Sequence, residues 1–312
     1  MTFSAISSAT LRRGLIILAA VTLAACQSVS LAPVAQPPVP ALPVDPIVQP
    51  PKLPIPPRVG LALGGGAARG FAHIGVIQVL EENGIKVDLV AGTSAGSLVA
   101  ALYASGKTPK EMAQIAETMD EGAITDWAFP TRGLIRGDAL ARFVREKVDG
   151  KQIEQMRIPL GIVATDLSTG AGILFRTGDT GVAVRASSSV PLVFQSVRIL
   201  GRDYVDGGLV APVPVRYARQ MGAEMLIAVD ISAPPRDQPG TDAIHTLLQT
   251  VAIMGRSINS YELREADVVI RPALNDVGSA DFGARMRSIA AGREAALSAL
   301  PQIRQKIASK TR

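Results

Sequence analysis

The chain has 312 residues, 47% hydrophobic but only 4% aromatic, with 29 glycines, enough for one large or two small domains around a sizeable core. That balance suits an Ala/Val/Leu/Gly-rich α/β protein better than an aromatic-rich β-sandwich. The formal net charge is +5, yet no dense Lys/Arg block and no basic residues interleaved with aromatics occur. Nucleic-acid binding is therefore disfavoured, and weak attraction to an anionic lipid surface is the better use of the charge.

The amino-terminal stretch reads as an address. Arg12-Arg13 form a positive region, Gly14 to Thr22 an apolar one too short to span a bilayer, and Leu23-Ala24-Ala25-Cys26 a small-residue cleavage site. Cys26 is the sole cysteine, so an intramolecular disulfide is excluded. Its place after Leu-Ala-Ala resembles the bacterial lipobox, which implies a lipidated Cys26 as the first mature residue. Gln27 stands where an Asp would signal inner-membrane retention, so outer-membrane sorting is the implied destination. From Ser28 to Pro57 the chain holds eleven of its 22 prolines and no apolar periodicity, the composition of a semi-extended tether.

Beyond the tether, Val59-Gly60-Leu61-Ala62-Leu63 predicts a strand and His73 to Glu82 a helix, joined by Gly64-Gly65-Gly66-Ala67-Ala68-Arg69-Gly70. A glycine-rich loop entering a helix offers backbone N–H groups to negative charge. A phosphate-binding P-loop would need Gly-Lys-Ser/Thr, and a dinucleotide site a different glycine spacing; neither is present. The remaining use is an oxyanion hole. Val87 to Ala91 then predicts a buried strand and Ser97 to Gly106 a helix, with Gly92-Thr93-Ser94-Ala95-Gly96 between them. This is the strand–turn–helix context of a G-x-S-x-G nucleophile elbow, although a serine there also serves as a plain helix cap.

Farther along, Pro109–Met119 and Asp138–Lys147 read as amphipathic helices, and Trp127, Phe129 and Leu134 between them as a lipid-facing lip or as packing. Strands are expected at Leu160–Ala164, Ile173–Arg176, Met225–Ile231 and Asp267–Ile270, and helices at Thr180–Ala186, Thr241–Glu265 and Ala284–Ser309. Asp166 beside a turn reads as a backbone cap. Asp206-Gly207-Gly208 taken alone is a hairpin turn. The closing helix carries a basic face, solvated by default and otherwise a contact for anionic membrane. Cys26, His73 and His245 form no metal-ligand cluster, so neither metal nor cofactor is expected.

Taken together, Gly64 to Val76, Gly92 to Gly96 and Asp206-Gly207-Gly208 resemble the patatin-like phospholipases of the bacterial type. Ala164-Thr165-Asp166-Leu167, Arg185-Ala186-Ser187-Ser188-Ser189-Val190-Pro191 and Tyr204-Val205-Asp206 are similar as well, so the likeness runs in order from about Val59 to about Ile231. One extra alanine in the first loop departs from the usual Gly-Gly-Gly-x-Arg-Gly. The resemblance implies a three-layer α/β fold with a mainly parallel central sheet covered by helices on both faces. It also implies a Ser-Asp dyad, with Ser94 as nucleophile and Asp206 as base, and an oxyanion loop of Gly64, Gly65, Gly66 and Arg69 in which the Gly65 and Gly66 amides hold the charge. Gly92, Gly96, Gly207 and Gly208 shape the two turns.

Three segments follow: a signal peptide over 1–25, the lipidated Cys26 with its tether over 26–57, and a patatin-like domain over 58–312. The expected substrates are membrane phospholipid or lysophospholipid, and the expected site a bacterial envelope, lipid-anchored at the outer membrane and facing the periplasm. His245 offers a Ser-Asp-His triad as the competing mechanism. A noncatalytic envelope lipoprotein binding acyl chains is the competing function, and a nucleotide-binding module a more distant one.

Overall fold

The computed structural model describes residues 53–120, 135–232, 243–278 and 280–312, without the side chains of 243–245 and 248. The signal peptide, Cys26 and nearly all of the tether therefore lie outside the described residues, as do Trp127, Phe129 and Leu134. Val59–Leu63 (β1) and Leu89–Thr93 (β2) are buried at every position, as runs of Val, Leu and Ala with both faces covered must be. Leu160–Asp166 (β3), Gly172–Phe175 (β4), Val197–Ile199 (β5), Arg202–Asp206 (β6), Met225–Val229 (β7) and Val268–Ile270 (β8) complete one sheet. Its order is β5-β6-β3-β2-β1-β7-β8, with β4 also on β3. Strands β3, β2, β1, β7 and β8 run parallel, and β4, β5 and β6 join as antiparallel pairs.

Alternation of side chains sorts the core into two layers. Leu61, Leu63, Met225, Ile227 and Val229 face one cluster, shared with Ala72–Glu82 (α1), Ala95–Ala104 (α2), Pro109–Thr118 (α3), Asp138–Lys147 (α4) and Arg285–Lys310 (α8). Ala62, Leu89, Ala91, Leu226 and Ala228 face the other, against Val215–Gln220 (α6) and Leu263 just past Ala243–Glu262 (α7). Thr180–Ser187 (α5) covers the β3–β6 end through Ala186 against Ala164, Val197 and Tyr204. Helices α1 and α8 touch backbone to backbone, because Gly75 and Gly292 carry no side chain; a Cβ at either would fall 1.9 Å from a carbonyl oxygen, of Ile289 or Ala72.

Residues from Lys52 onward form one compact unit. Ile55 and Arg312 exchange backbone hydrogen bonds of 2.8 and 3.0 Å, so the chain is tied to the domain a few residues before Arg58. The β5–β6 hairpin has no counterpart among the strands expected from sequence. β5 is three residues long with Arg198 at its centre, too short to show a period. No described helix is long and apolar enough to cross a membrane.

Candidate active site

Ser94 closes β2 in a conformation that L-residues rarely adopt, φ 52° and ψ −126°. The turn closes this tightly because Gly92 and Gly96 lack side chains: a Cβ at Gly92 would lie 2.5 Å from the Gly96 carbonyl oxygen, and one at Gly96 would lie 2.2 Å from that of Leu63. Short hydrogen bonds hold the strained residue. Its N–H donates to Ser187 Oγ at 2.8 Å, and its carbonyl accepts from the Ser97 amide at 2.8 Å and the Ser97 hydroxyl at 2.6 Å. The Ser187 hydroxyl donates in turn to the Val163 carbonyl at 2.5 Å, so one buried hydroxyl bridges β3 to the elbow. The Ser94 side chain makes no cap bond to α2, which sets aside the plain-cap alternative; its hydroxyl instead lies close enough to the Asp206 carboxyl to exert a lowering effect on that group's pKa.

Asp206 reaches Ser94 along a shared strand edge. Val163 of β3 pairs with Thr93 of β2, and the next residue, Ala164, pairs with Asp206 of β6. Since β4 occupies the other edge of β3 through 162–165, β2 and β6 must lie end to end on the same edge. The parallel strand runs out, the antiparallel one arrives, and serine and aspartate meet at the seam. Asp206 does not sit in a hairpin turn: it ends β6 and caps the 3₁₀ turn Gly207–Leu209, with Oδ1 accepting from Gly208 N at 2.6 Å. Its backbone is fixed by Ser189 O, which accepts its N–H at 2.9 Å, and by the Thr165 hydroxyl, which donates to its carbonyl at 2.8 Å. Burial pushes the carboxyl up to about 6, against the lowering effect of the Gly208 amide and the Ser94 hydroxyl.

The glycine loop lies on Ser94 from the other side; a Cβ on Gly65 would come within 3.1 Å of the serine Cβ. Its donors are distributed differently from the expectation. Gly64 N already donates to Val229 O at 3.0 Å and Gly65 N to Pro212 O at 2.9 Å. Among the described residues no acceptor takes the N–H of Gly66 or of the exposed Ala67, whose φ is 51°. Arg69 is buried and its Nε donates to Ile231 O at 2.9 Å, so its guanidinium ties the loop to the end of β7. His73, fully buried, anchors the same loop: only the protonated Nε2 can bond the Gly64 carbonyl at 2.8 Å. Burial lowers its pKa to about 4, so it stays neutral.

A strained serine thus stands beside a buried aspartate and the glycine loop, and comparison with known proteins identifies the family. The model of the patatin-like phospholipase family matches residues 61–219. The chain belongs to the patatin-like phospholipase family. An uncharacterized NTE family protein of Mycobacterium tuberculosis is 38% identical over 188 residues, covering 58% of this chain and 52% of that protein. Human patatin-like phospholipase domain-containing protein 6 is 36% identical over 186 residues, covering 56% of this chain and 13% of that protein. The chain thus spans about half the length of the mycobacterial relative, and far less of the human one. Among solved structures, VipD from Legionella pneumophila superposes with a TM-score of 0.53 at 16% identity, over 81% of this chain and 68% of that one, a likeness of fold.

The patatin-like domain accounts for the other sequence-marked residues as well. Asp166 is a cap: its Oδ1 accepts from Ser168 N, Ser168 Oγ and Thr169 N at 2.6–3.1 Å, and Arg202 bonds its Oδ2 at 2.7 Å. His245 falls in the first turn of α7, and its side chain lies outside the described residues. Gly207 packs on the Val163 carbonyl, where a Cβ would come within 2.2 Å. No group of three or more His, Cys, Asp or Glu able to hold a metal occurs among the described residues. Sequence reasoning missed Ser187, Ser189, Thr165 and His73 as supports of the site. Their only signal was that Arg185 to Pro191, Ala164 to Leu167 and, for His73, Gly64 to Val76 resemble family stretches, which marks a segment without saying what it holds.

Proposed function

We propose that this chain is a serine acyl hydrolase of membrane-lipid esters, of the phospholipase A or lysophospholipase type, working through a Ser94–Asp206 dyad. The observation that carries the reading is the strained Ser94 hydroxyl set against a carboxyl whose pKa burial has raised to about 6. An ordinary aspartate is too weak a base for this role; at about 6 it is still ionised at neutral pH yet holds a proton more firmly. Ser94 Oγ attacks the ester carbonyl carbon and its proton passes to Asp206. The carbonyl oxygen takes the negative charge, facing the unengaged amides of Gly66 and Ala67 in place of Gly65 and Gly66. As the ester C–O bond breaks, Asp206 returns the proton to the leaving alkoxide. Water then attacks the acyl-serine and gives a proton to Asp206, the fatty acid departs, and Ser94 recovers its hydrogen.

A fluorophosphonate probe tests this on the full chain. Labelling lost in Ser94→Ala, with free fatty acid and lysolipid released from mixed bacterial phospholipids by the parent only, supports the hydrolase. A folded parent that neither labels nor hydrolyses supports a noncatalytic acyl-binding lipoprotein. Activity of a His245→Ala variant near that of the parent supports the dyad; collapse to the Ser94→Ala level points to the triad. We also assign Cys26 as a lipidation site holding the domain at a bacterial envelope, on the strength of the Leu-Ala-Ala-Cys sequence. Cys26→Ser should move the protein from the membrane to the soluble fraction and remove the mass of the acyl groups.

A further inference from the structure

Three turns at the carboxyl end of the sheet each present a leucine to solvent. Leu200 in the β5–β6 turn is 100% exposed, Leu192 in the loop after α5 is 56% exposed, and Leu167 after β3 is 56% exposed. A single exposed leucine is ordinary. The group is unusual in three further ways. Leu200 (φ 48°) and Leu192 (φ 67°) sit in the left-handed region, where a branched apolar side chain is disfavoured. In a two-residue turn with Leu200 and Gly201 both at positive φ, Asn or Gly would relieve the strain and improve solubility together. Neither the fold nor the surrounding water accounts for leucine there.

The placement is the second point. Asp206 ends β6, and the turn precedes Arg202 at the other end of that strand, four residues back. At about 3.3 Å per residue the turn stands roughly 13 Å beyond the aspartate, on the side where β2 delivers Ser94. Leu167 is tied to the same hairpin, its N–H donating to Asp203 O at 2.9 Å. Leu192 is three residues from Ser189, whose carbonyl holds Asp206, so it lies within about 11 Å of that carbonyl. Charge supplies the third point. Arg198 and Arg202 flank Leu200 on the two strands, both exposed, and Arg202 keeps 60% of its side chain in solvent while paired with Asp166.

We propose that this leucine rim, Leu167, Leu192 and Leu200 with Arg198 and Arg202, is where the domain docks on an anionic phospholipid bilayer, seating the mouth of the site at the lipid surface. Leucines enter the acyl boundary while the guanidiniums meet phosphate oxygens. The proposal rests on the hydrolase reading only for the reason a bilayer is approached at this end, and the two can fail separately.

The test exploits the single cysteine. In the full chain carrying Cys26→Ser, Leu200→Cys is labelled with an environment-sensitive fluorophore, and Lys86→Cys, exposed just before β2 at the amino end of the sheet, serves as the control. The expected result is a blue shift at 200 on phosphatidylglycerol vesicles, a smaller one on phosphatidylcholine, and none at 86. In the same Cys26→Ser background, Leu200→Asn should lower the vesicle partition coefficient about tenfold. It should also keep or raise the thermal midpoint and leave hydrolysis of a water-soluble short-chain ester unchanged. No shift at 200, or partitioning unaffected by Leu200→Asn, overturns the docking surface. A shift appearing without lipid as the protein self-associates overturns it too, making the rim a contact between copies. Failure of the parent to cleave the soluble ester counts against the hydrolase reading alone, because the vesicle measurements remain readable.

Discussion

Asp166 and Asp206 stand on neighbouring strands, two residue pairs apart in register, and both are buried, at 0% and 6% exposure. Their chemistry is opposite. Asp166 collects two amides, a hydroxyl and the Arg202 guanidinium, and these donors hold its carboxyl well below the usual range. Asp206 has the Gly208 amide and the Ser94 hydroxyl, too few to offset its loss of water, and is pushed up to about 6. Burial therefore does not make a base; burial with a shortage of donors does. One aspartate is held charged and pins a turn; the other has the raised pKa that the proposed proton transfer with Ser94 calls for.

The comparison can be broken most severely at Asp206. Asp206→Asn keeps an acceptor for Gly208 but cannot take a proton from Ser94, so turnover should fall on the order of a thousandfold in steady-state assays. In the parent the rate should drop tenfold per pH unit below about 6, as the carboxylate protonates. Stability should move the other way. A carboxyl whose folded pKa lies above its unfolded value favours the fold while protonated, so its contribution is full below about pH 4 and is lost as pH rises through 6. Asp206→Asn should accordingly be more stable than the parent at pH 7, by on the order of 1–3 kcal/mol in denaturant titrations, and the difference should vanish below pH 4.

A smaller loss is expected at Ser187, which touches neither proton nor substrate. Ser187→Ala strands the Ser94 amide and the Val163 carbonyl and frees the strained elbow. Turnover number and fluorophosphonate labelling rate should fall together by roughly 10–100-fold with KM little changed, the mark of a positioning residue. The mildest effect on catalysis belongs to Asp166→Asn, within a few-fold per folded molecule. It should instead lower the thermal midpoint at neutral pH. Because the folded pKa of Asp166 is depressed, its stabilisation is present above about pH 4 and lost as pH falls below that. The variant and parent should therefore converge in acid. An Asp166→Asn enzyme as impaired as Asp206→Asn would erase the distinction between the two carboxylates.

The parallel core was legible because Val, Leu and Ala runs between glycine turns admit little else, and Asp138–Lys147 shows its helix in the spacing of Leu140, Phe143 and Val144. The elbow was legible for the same local reason. Which amides of the glycine loop stay unengaged was not, since only the fold reveals that Pro212 and Val229 take the Gly65 and Gly64 amides. The β5–β6 hairpin escaped because leucine replaces the usual turn residue at position 200. The Asp206 turn also misled locally: Asp-Gly-Gly reads as a hairpin until its partner strand is known.

Strand β3 acts as the ruler of this molecule. Because β2 and β6 abut along one of its edges, the gap between Ser94 and Asp206 is set by a single step of β3, from Val163 to Ala164, and not by the excursion of more than a hundred residues that separates them in sequence. Chain can be added to or trimmed from the surface loops of that excursion without disturbing the pair. A one-residue deletion inside β3 would shift the two abutting strands against each other and turn Asp206 to the wrong face of the sheet.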